Sequence, residues 1–483
     1  MPVLRSRLAS RSNPLLANRC AMDKWLRSAI DYIGSWIEFQ HTTIQQPGVL
    51  VAFVHRGEIV AEHAFGLANL DTGEKLTPRH RFRIASHSKS FTSAGIMKLR
   101  EQRKLRLDDT VGQYIGGLHP RVAETTIAQL LSHSAGLTRD GADSGQFIDR
   151  RPYLSAKELL AELKLPTVIE PGTRFKYSNH GFGLLGLVVE AVTKEPYSVW
   201  IKREIIEAAG LRETEPDAPL PKGALFARGH TRKVPLGERC VIPGDNPTHA
   251  MASATGFAAT AADTARFFAQ LAPNAKKSLL SAASRREMTR HHWRIPQSFE
   301  SYYGLGINAG KLDGWDWIGH GGHFQGYISR TCSIPACELA ISILSNSIDG
   351  AAPFWMDGAM QILRVFQARG APDRRVRDWT GRWWTIWGAT DLVPAGNRVL
   401  VANPQFNNPF MDAAEIEVTG RDTGKLAWAA GYSSHGEPVR RVRDKRGKVS
   451  DVWIAGANIK PAAVVAREIA RRYQPRKRRP TPE

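Results

Sequence analysis

The strand-forming segments of this chain stand at the two ends of one long stretch, with the helical segments between them. Near the N-terminus, "GVLVAFVHRGEIVAEHAFGLANL" holds two β-rich runs, Val49 to His55 and Glu58 to Gly66, which meet at Arg56-Gly57 as a hairpin. β-Composition returns only late, in "YYGLGINAG", "WIGHGGHFQGYISRTCSI" and "ELAISILSNS". Between them, "SHSKSFTSAGIMKLREQRKL" spaces Phe91, Ala94, Gly95 and Met97 to Leu99 for a buried helix. "TIAQLLSHSAGL" and "YSNHGFGLLGLVVEAVTKEPYSVWIKREIIEAAG" read as further helices, the second ending at Gly210. "TAADTARFFAQL" opens with Thr260 and Asp263 at capping-box spacing, and "MDGAMQILRVFQARG" closes the stretch as a helix. A strand cannot bury its apolar face alone, so two distant strand groups flanking helices must share one sheet. The expected fold is α+β over residues 23–371, an antiparallel sheet covered by helices with a helical lobe beside it.

After "APDRRVRD" the pattern changes. Short β-like runs such as "GRWWTIWG", "NRVLVANP", "AEIEVTG", "KLAWAAGY" and "SDVWIAG" alternate with turn residues, which predicts a small antiparallel β-barrel domain over 376–465. Trp383 and Trp384 are expected in its core. Residues 1–22 read as a disordered extension and 466–483 as a basic disordered tail. The net charge is +20; residues 461–483 carry seven Lys/Arg against two Glu and residues 1–25 five against one Asp, leaving +11 for the body. Neither a zinc knuckle nor an aromatic RNA-binding signature accompanies that charge, so no nucleic acid partner is expected. No run of about eighteen apolar residues exists, so no transmembrane segment is expected. Four cysteines in 483 residues make no disulfide framework, which points to a reducing, cytoplasmic setting. Cys332 and Cys337 lack a second ligand pair, and neither a metal nor a cofactor is expected.

Three short stretches carry chemistry. In "IASHSKSFTS", Ser86 stands at a helix start with Lys89 one turn on, facing the same side. A desolvated lysine loses proton affinity and can act on a hydroxyl nucleophile. In "FKYSNHG", Tyr177 and Asn179 flank one residue and can enter one cleft, the phenol as proton carrier and the amide as substrate anchor. In "GHGGHFQG", glycines let a strand edge approach a ligand. His133 in "LLSHSAGL" reads as a hydrogen-bonded structural histidine, and His291-His292 as part of a surface helix.

These stretches, with "LRLDDTVGQYI" and "GFAATAADTARF", resemble in order the blocks of the serine β-lactamase and penicillin-binding-protein superfamily, on the branch with class C β-lactamases, family VIII esterases and D-aminopeptidases. The resemblance covers about residues 30 to 370 and implies a β-lactamase-like fold. Because D-aminopeptidases also carry β-barrels after the catalytic domain, it further implies that the barrel after residue 375 borders the substrate cleft. It makes Ser86 the acylated serine, Lys89 its lysine, and Tyr177 and Asn179 the Y-x-N pair. His320, Gly321 and Gly322 take the place of the lysine-threonine-glycine motif, and the N–H groups of Ser86 and His323 become the oxyanion donors. Histidine for lysine removes a permanent cation, which disfavours β-lactams. The implied activity is hydrolysis of a small ester, amide or short peptide through an acyl-serine, with D-aminopeptidase or amidase and carboxylesterase both open. Whether Lys89 or Tyr177 is the acylation base stays open too. The alternative is a catalytically silent penicillin-binding-like sensor or scaffold.

Overall fold

The computed structural model describes residues 22–295, 300–312 and 314–473. The expected N-terminal extension therefore lies outside the described residues apart from Met22. Helix α1 (Lys24–Thr43) leads into a hairpin of β1 (Gly48–His55) and β2 (Glu58–Asn69). Its turn residues Arg56 and Gly57 both take positive φ, 54° and 85°, as the twist of a two-residue hairpin requires. A helical middle follows, with α2 (Ser88–Glu101), α3 (Asn179–Thr193) and α4 (Ala261–Leu271). The chain then forms a meander of β3 (Asn308–Leu312), β4 (Trp315–Phe324), β5 (Tyr327–Ile334) and β6 (Leu339–Ser345), and α5 (Ala352–Arg369) follows.

β6 pairs antiparallel with β1, from Val49 opposite Ser345 to His55 opposite Leu339. That seam joins the two ends of the stretch into one nine-stranded sheet. β1 is buried along its whole length, which is why its sequence is apolar without alternation. Val51 and Phe53 join Ile341 and Ile343 in a core shared with α1 and α5. Leu50 and Ala52 face the opposite core, built with α2, α3 and α4. There Phe91 stacks on Phe267 with ring centroids 3.7 Å apart, each ring contributing about 1.5–3 kcal/mol by burial.

Three local expectations are corrected. The helix predicted to run to Gly210 breaks after Thr193, because Lys194 turns left-handed (φ 60°) and Pro196 follows; a short helix and a π-turn complete the segment. His291 and His292 are not helical: the helix ends at Thr289, Arg290 is extended, and His292 donates its backbone N–H to Tyr303 O. Thr260 caps α4 by accepting from the Asp263 N–H, but the Asp263 carboxylate accepts from Glu213 N and Thr214 Oγ1 instead of completing a capping box.

The second unit has eight strands in chain order: β7 (Gly381–Thr385), β8 (Gly388–Ala395), β9 (Arg398–Ala402), β10 (Ala414–Val418), β11 (Thr423–Trp428), β12 (Pro438–Arg443), β13 (Val449–Ile454) and β14 (Ala457–Ile459). A bridge between Trp384 of β7 and Lys460, the residue after β14, brings the first strand to the last and closes the barrel. Trp383 packs on the barrel interior, whereas Trp384, one residue on and on the other face, meets Phe39 of α1 at 5.8 Å. Residues 466–473, expected in the disordered tail, belong to helix α6 (Ala462–Tyr473). Val465 is buried at its start, Lys460 pairs with Glu468 at 2.7 Å, and Ala, Arg and Glu are strong helix formers. The tail beyond Tyr473 lies outside the described residues.

Among the described residues the barrel seats on α1 and α5 and not beside Ser86. Val393, Ala395, Leu400 and Ala402 enter the core of α1 and α5. Tyr32 donates to Asp391 at 3.1 Å, Arg382 holds the same carboxylate through two bonds, and Gln40 donates to Pro404 O. These helices cover the sheet face opposite the one that carries Ser86, and their outward apolar side chains need the barrel as cover.

Candidate active site

Ser86 lies in a 3-10 turn, Ala85–His87, that runs directly into α2. The turn is tied down on every side. Ala85 takes a left-handed φ of 49°, a conformation costing roughly 1–2 kcal/mol in a non-glycine residue. Ser88 Oγ donates to Ala85 O at 2.6 Å and accepts from Phe257 N, and Ile84 N donates to Phe257 O. His87 meets Ile84 O through Nδ1 and Thr331 Oγ1 through Nε2; burial lowers its pKa to about 3.

Lys89 is fully buried, one helical turn beyond Ser86, and burial pushes its pKa far below the ordinary 10.5. Asp140 opposes that shift and Arg139 reinforces it. Nζ has three neighbours: Asn179 Oδ1 at 2.7 Å, Ala254 O at 2.8 Å and Ser86 Oγ at 3.3 Å. The first two can only accept. A neutral amine has two N–H bonds for those acceptors and one lone pair, which then faces the serine hydroxyl. The Asn179 amide is oriented by its own nitrogen, which donates to Asp140 Oδ1 at 2.6 Å.

Tyr177 Oη donates to Ser86 Oγ at 2.9 Å. Burial raises its pKa, so the phenol keeps its proton. The segment is held by Ser178, which caps α3 by accepting from Gly181 N and donates through Oγ to Thr138 O. The ring lies against His133, centroids 4.0 Å apart.

β4 passes over the serine turn. A Cβ on Gly322 would stand 2.2 Å from Ile84 O, so no other residue fits there without displacing the turn. β3 pairs with β4 only as far as Gly319, and residues 320–324 continue beyond it. Phe324 and Tyr327 flank the two-residue turn between β4 and β5. By the alternation of an antiparallel ladder, the N–H of His323 then points away from β5.

His320 is buried, and burial holds it well below 6.5, as a neutral imidazole. Its nitrogens are committed: Nδ1 lies 2.7 Å from Gly321 O and Nε2 3.1 Å from Tyr303 Oη. Tyr303 Oη also lies 3.2 Å from His133 Nε2, and His133 Nδ1 accepts the Ser178 N–H at 3.1 Å. The two backbone ends fix every proton in between. A carbonyl only accepts, so His320 Nδ1 donates to it and its Nε2 accepts from Tyr303; an amide N–H only donates, so His133 Nδ1 accepts it and its Nε2–H donates to Tyr303. His320, expected among the catalytic residues, therefore has both nitrogens engaged away from Ser86. His133 is hydrogen-bonded and buried, and it supports the Tyr177 ring.

Sequence reasoning did not find Tyr303, Asp140 or Ala254. Tyr303 was visible as strand composition in "YYGLG", and Ala254 acts through a carbonyl that no side chain reveals. Among the described residues no group of three or more His, Cys, Asp or Glu side chains could hold a metal ion.

The fold and the paired Ser86 and Lys89 motif place the chain in a class that comparison identifies. The chain belongs to the Beta-lactamase family, which it matches over residues 35–357. It is 27% identical to a D-aminopeptidase of Brucella anthropi over 356 residues, covering 70% of this chain and 63% of that protein. It is 26% identical to Protein flp of Staphylococcus aureus strain MW2 over 174 residues, about a third of either chain. Of the solved structures, the octameric penicillin-binding protein homologue from Pyrococcus abyssi superposes with a TM-score of 0.63 at 22% identity, covering 89% of this chain and 100% of that one. The D-amino acid amidase of Ochrobactrum anthropi SV3 superposes with a TM-score of 0.60 at 20% identity, covering 71% of this chain and 100% of that one.

Proposed function

We propose that the chain is a serine hydrolase that cleaves a small ester, amide or short peptide through an acyl-Ser86 intermediate. One observation carries this reading: the Ser86 hydroxyl stands between a buried lysine nitrogen at 3.3 Å and a protonated phenol at 2.9 Å. Lys89, whose proton affinity burial lowers, takes the serine proton as Oγ attacks the carbonyl carbon. Tyr177 keeps its proton in the resting state, so it donates that proton to the leaving group as the scissile bond breaks and regains one from the Lys89 ammonium. The N–H groups of Ser86 and His323 hold the oxyanion; such a donor is worth about 2.7–4 kcal/mol to the transition state. Water then attacks the acyl carbon, giving a proton to Lys89, and Ser86 Oγ leaves with that proton as the acid is released.

His320 serves as a positioning residue. Its neutral ring leaves no cation at the position where the β-lactamases carry lysine, which disfavours a substrate carboxylate there and with it β-lactams. The names of the relatives, a D-aminopeptidase and a D-amino acid amidase, favour amides of D-residues. Esters remain within reach of the same nucleophile. A silent sensor is disfavoured, because the Ser86, Lys89 and Tyr177 contacts are all in place.

The test is a panel of p-nitrophenyl esters, D- and L-aminoacyl p-nitroanilides and nitrocefin, with a fluorophosphonate as covalent probe. The probe mass should appear on the wild type and be absent from Ser86→Ala. Labelling elsewhere, or nitrocefin turnover equal to the best ester, overturns the reading.

A further inference from the structure

Successive connections of an up-and-down barrel alternate between its two ends, and here the ends differ sharply. One end is formed by the connections at 396–397, 419–422 and 444–448, whose residues are Gly-Asn, Thr-Gly-Arg-Asp and Asp-Lys-Arg-Gly-Lys. The other is formed by those at 386–387, 403–413, 429–437 and 455–456. Every exposed large hydrophobic side chain of β7–β14 and their connections, among the described residues, stands at this second end: Ile386, Trp387, Phe406, Met411, Trp428 and Tyr432. Trp387 is 90% exposed and Tyr432 fully so. Single exposed apolar residues need no explanation, but their confinement to one end of a barrel does.

Helix α6 brings charge to the same end. Ile469, Arg472 and Tyr473 line a shallow cavity of about 170 Å³ together with Thr385 and Ile386, so its C-terminus arrives beside the Trp387 turn. Tyr473 is exposed, as are Arg467, Arg471 and Arg472. The sequence then continues "QPRKRRPTPE", with four Lys/Arg against one Glu.

We infer that this end of the barrel, with the C-terminus of α6, docks on an anionic membrane surface. Tryptophan and tyrosine carry an apolar ring and a polar tip suited to the headgroup boundary, and Ile386 and Met411 suit the acyl region beneath. The arginines match the negative surface potential of anionic lipid. A second copy of this chain would bring the same cations, in a chain of net charge +20, against one another. Nucleic acid would use the arginines and the rings but leave the aliphatic side chains in water. The surface lies away from Ser86 and does not depend on the proposed reaction.

The experiment is co-sedimentation of the full chain with vesicles of phosphatidylcholine, alone or mixed with phosphatidylglycerol. The protein should bind the mixed vesicles and release them as salt is raised. The Trp387→Ser/Tyr432→Ser and Arg471→Gln/Arg472→Gln pairs, each with an unchanged Tm, should each bind roughly tenfold more weakly or worse. No sedimentation with the mixed vesicles overturns the inference, as does undiminished binding by Trp387→Ser/Tyr432→Ser. Self-association that this pair abolishes would assign the surface to a second copy, and retention by single-stranded DNA without vesicle binding would assign it to nucleic acid.

Discussion

Asn179 accepts from Lys89 Nζ through its oxygen at 2.7 Å, so the residue two places after Tyr177 governs the lysine that faces Ser86. The neutral carboxamide satisfies an N–H of the amine without stabilising an ammonium. Asn179→Asp would put a carboxylate at that contact and favour the charged lysine. Acylation at neutral pH should fall by about a hundredfold or more, and the rising limb of the pH profile of kcat/KM should move to higher pH. An unmoved limb in Asn179→Asp would mean that Lys89 is not the group being titrated.

Lys89 also makes a stability prediction with a definite sign. Its pKa in the folded chain lies well below the ordinary 10.5, so between these two values the unfolded chain binds the extra proton. Stability therefore rises with pH across that window by this one group and is independent of it outside. Urea unfolding from neutral to alkaline pH should show the slope in the wild type and a reduced slope in Lys89→Met, which should also fail to acylate.

The chain from Ser178 N–H through His133, Tyr303 and His320 to Gly321 O hinges on one phenol. Tyr303→Phe leaves two buried nitrogens, Nε2 of His133 and Nε2 of His320, without a partner. With the tautomers still held by Gly321 O and Ser178 N–H, a loss of about 1–3 kcal/mol in stability is expected, together with a lower kcat at nearly unchanged KM, since Tyr303 positions His320 and His133 without touching Ser86. A KM change with kcat intact would place Tyr303 in substrate binding.

Removal of the barrel at about residue 372 should not leave a well-behaved catalytic domain. It exposes Tyr32, Phe39 and Phe366, and it uncovers the core shared by α1, α5, Val393 and Leu400. The truncated chain should aggregate or melt at lower temperature than the full chain. Whatever folds should keep the same ranking of esters and anilides, because the barrel lies on the opposite sheet face from Ser86. A changed ranking would show that the barrel acts on the cleft.

What the sequence by itself determined was local. The i, i+3 spacing of Ser86 and Lys89 is a property of any helix start, and the two strand groups could bury their faces only in a common sheet, the one sealed by the β1 and β6 register. Tyr177 and Asn179 were legible because a turn before an apolar helix presents such side chains together. Only the tertiary structure decided which partners they meet. Ala254 contributes a carbonyl and so leaves no mark in the side-chain alphabet. His320 reads as a catalytic imidazole until Tyr303 and Gly321 O occupy its nitrogens. The barrel's seat follows from the apolar side chains that α1 and α5 leave outward once they cover the sheet, and helix α6 from Val465 finding β7 to pack near. Each of these depends on contacts between residues far apart in the chain, where spacing carries no information and burial, geometry and the count of donors and acceptors decide.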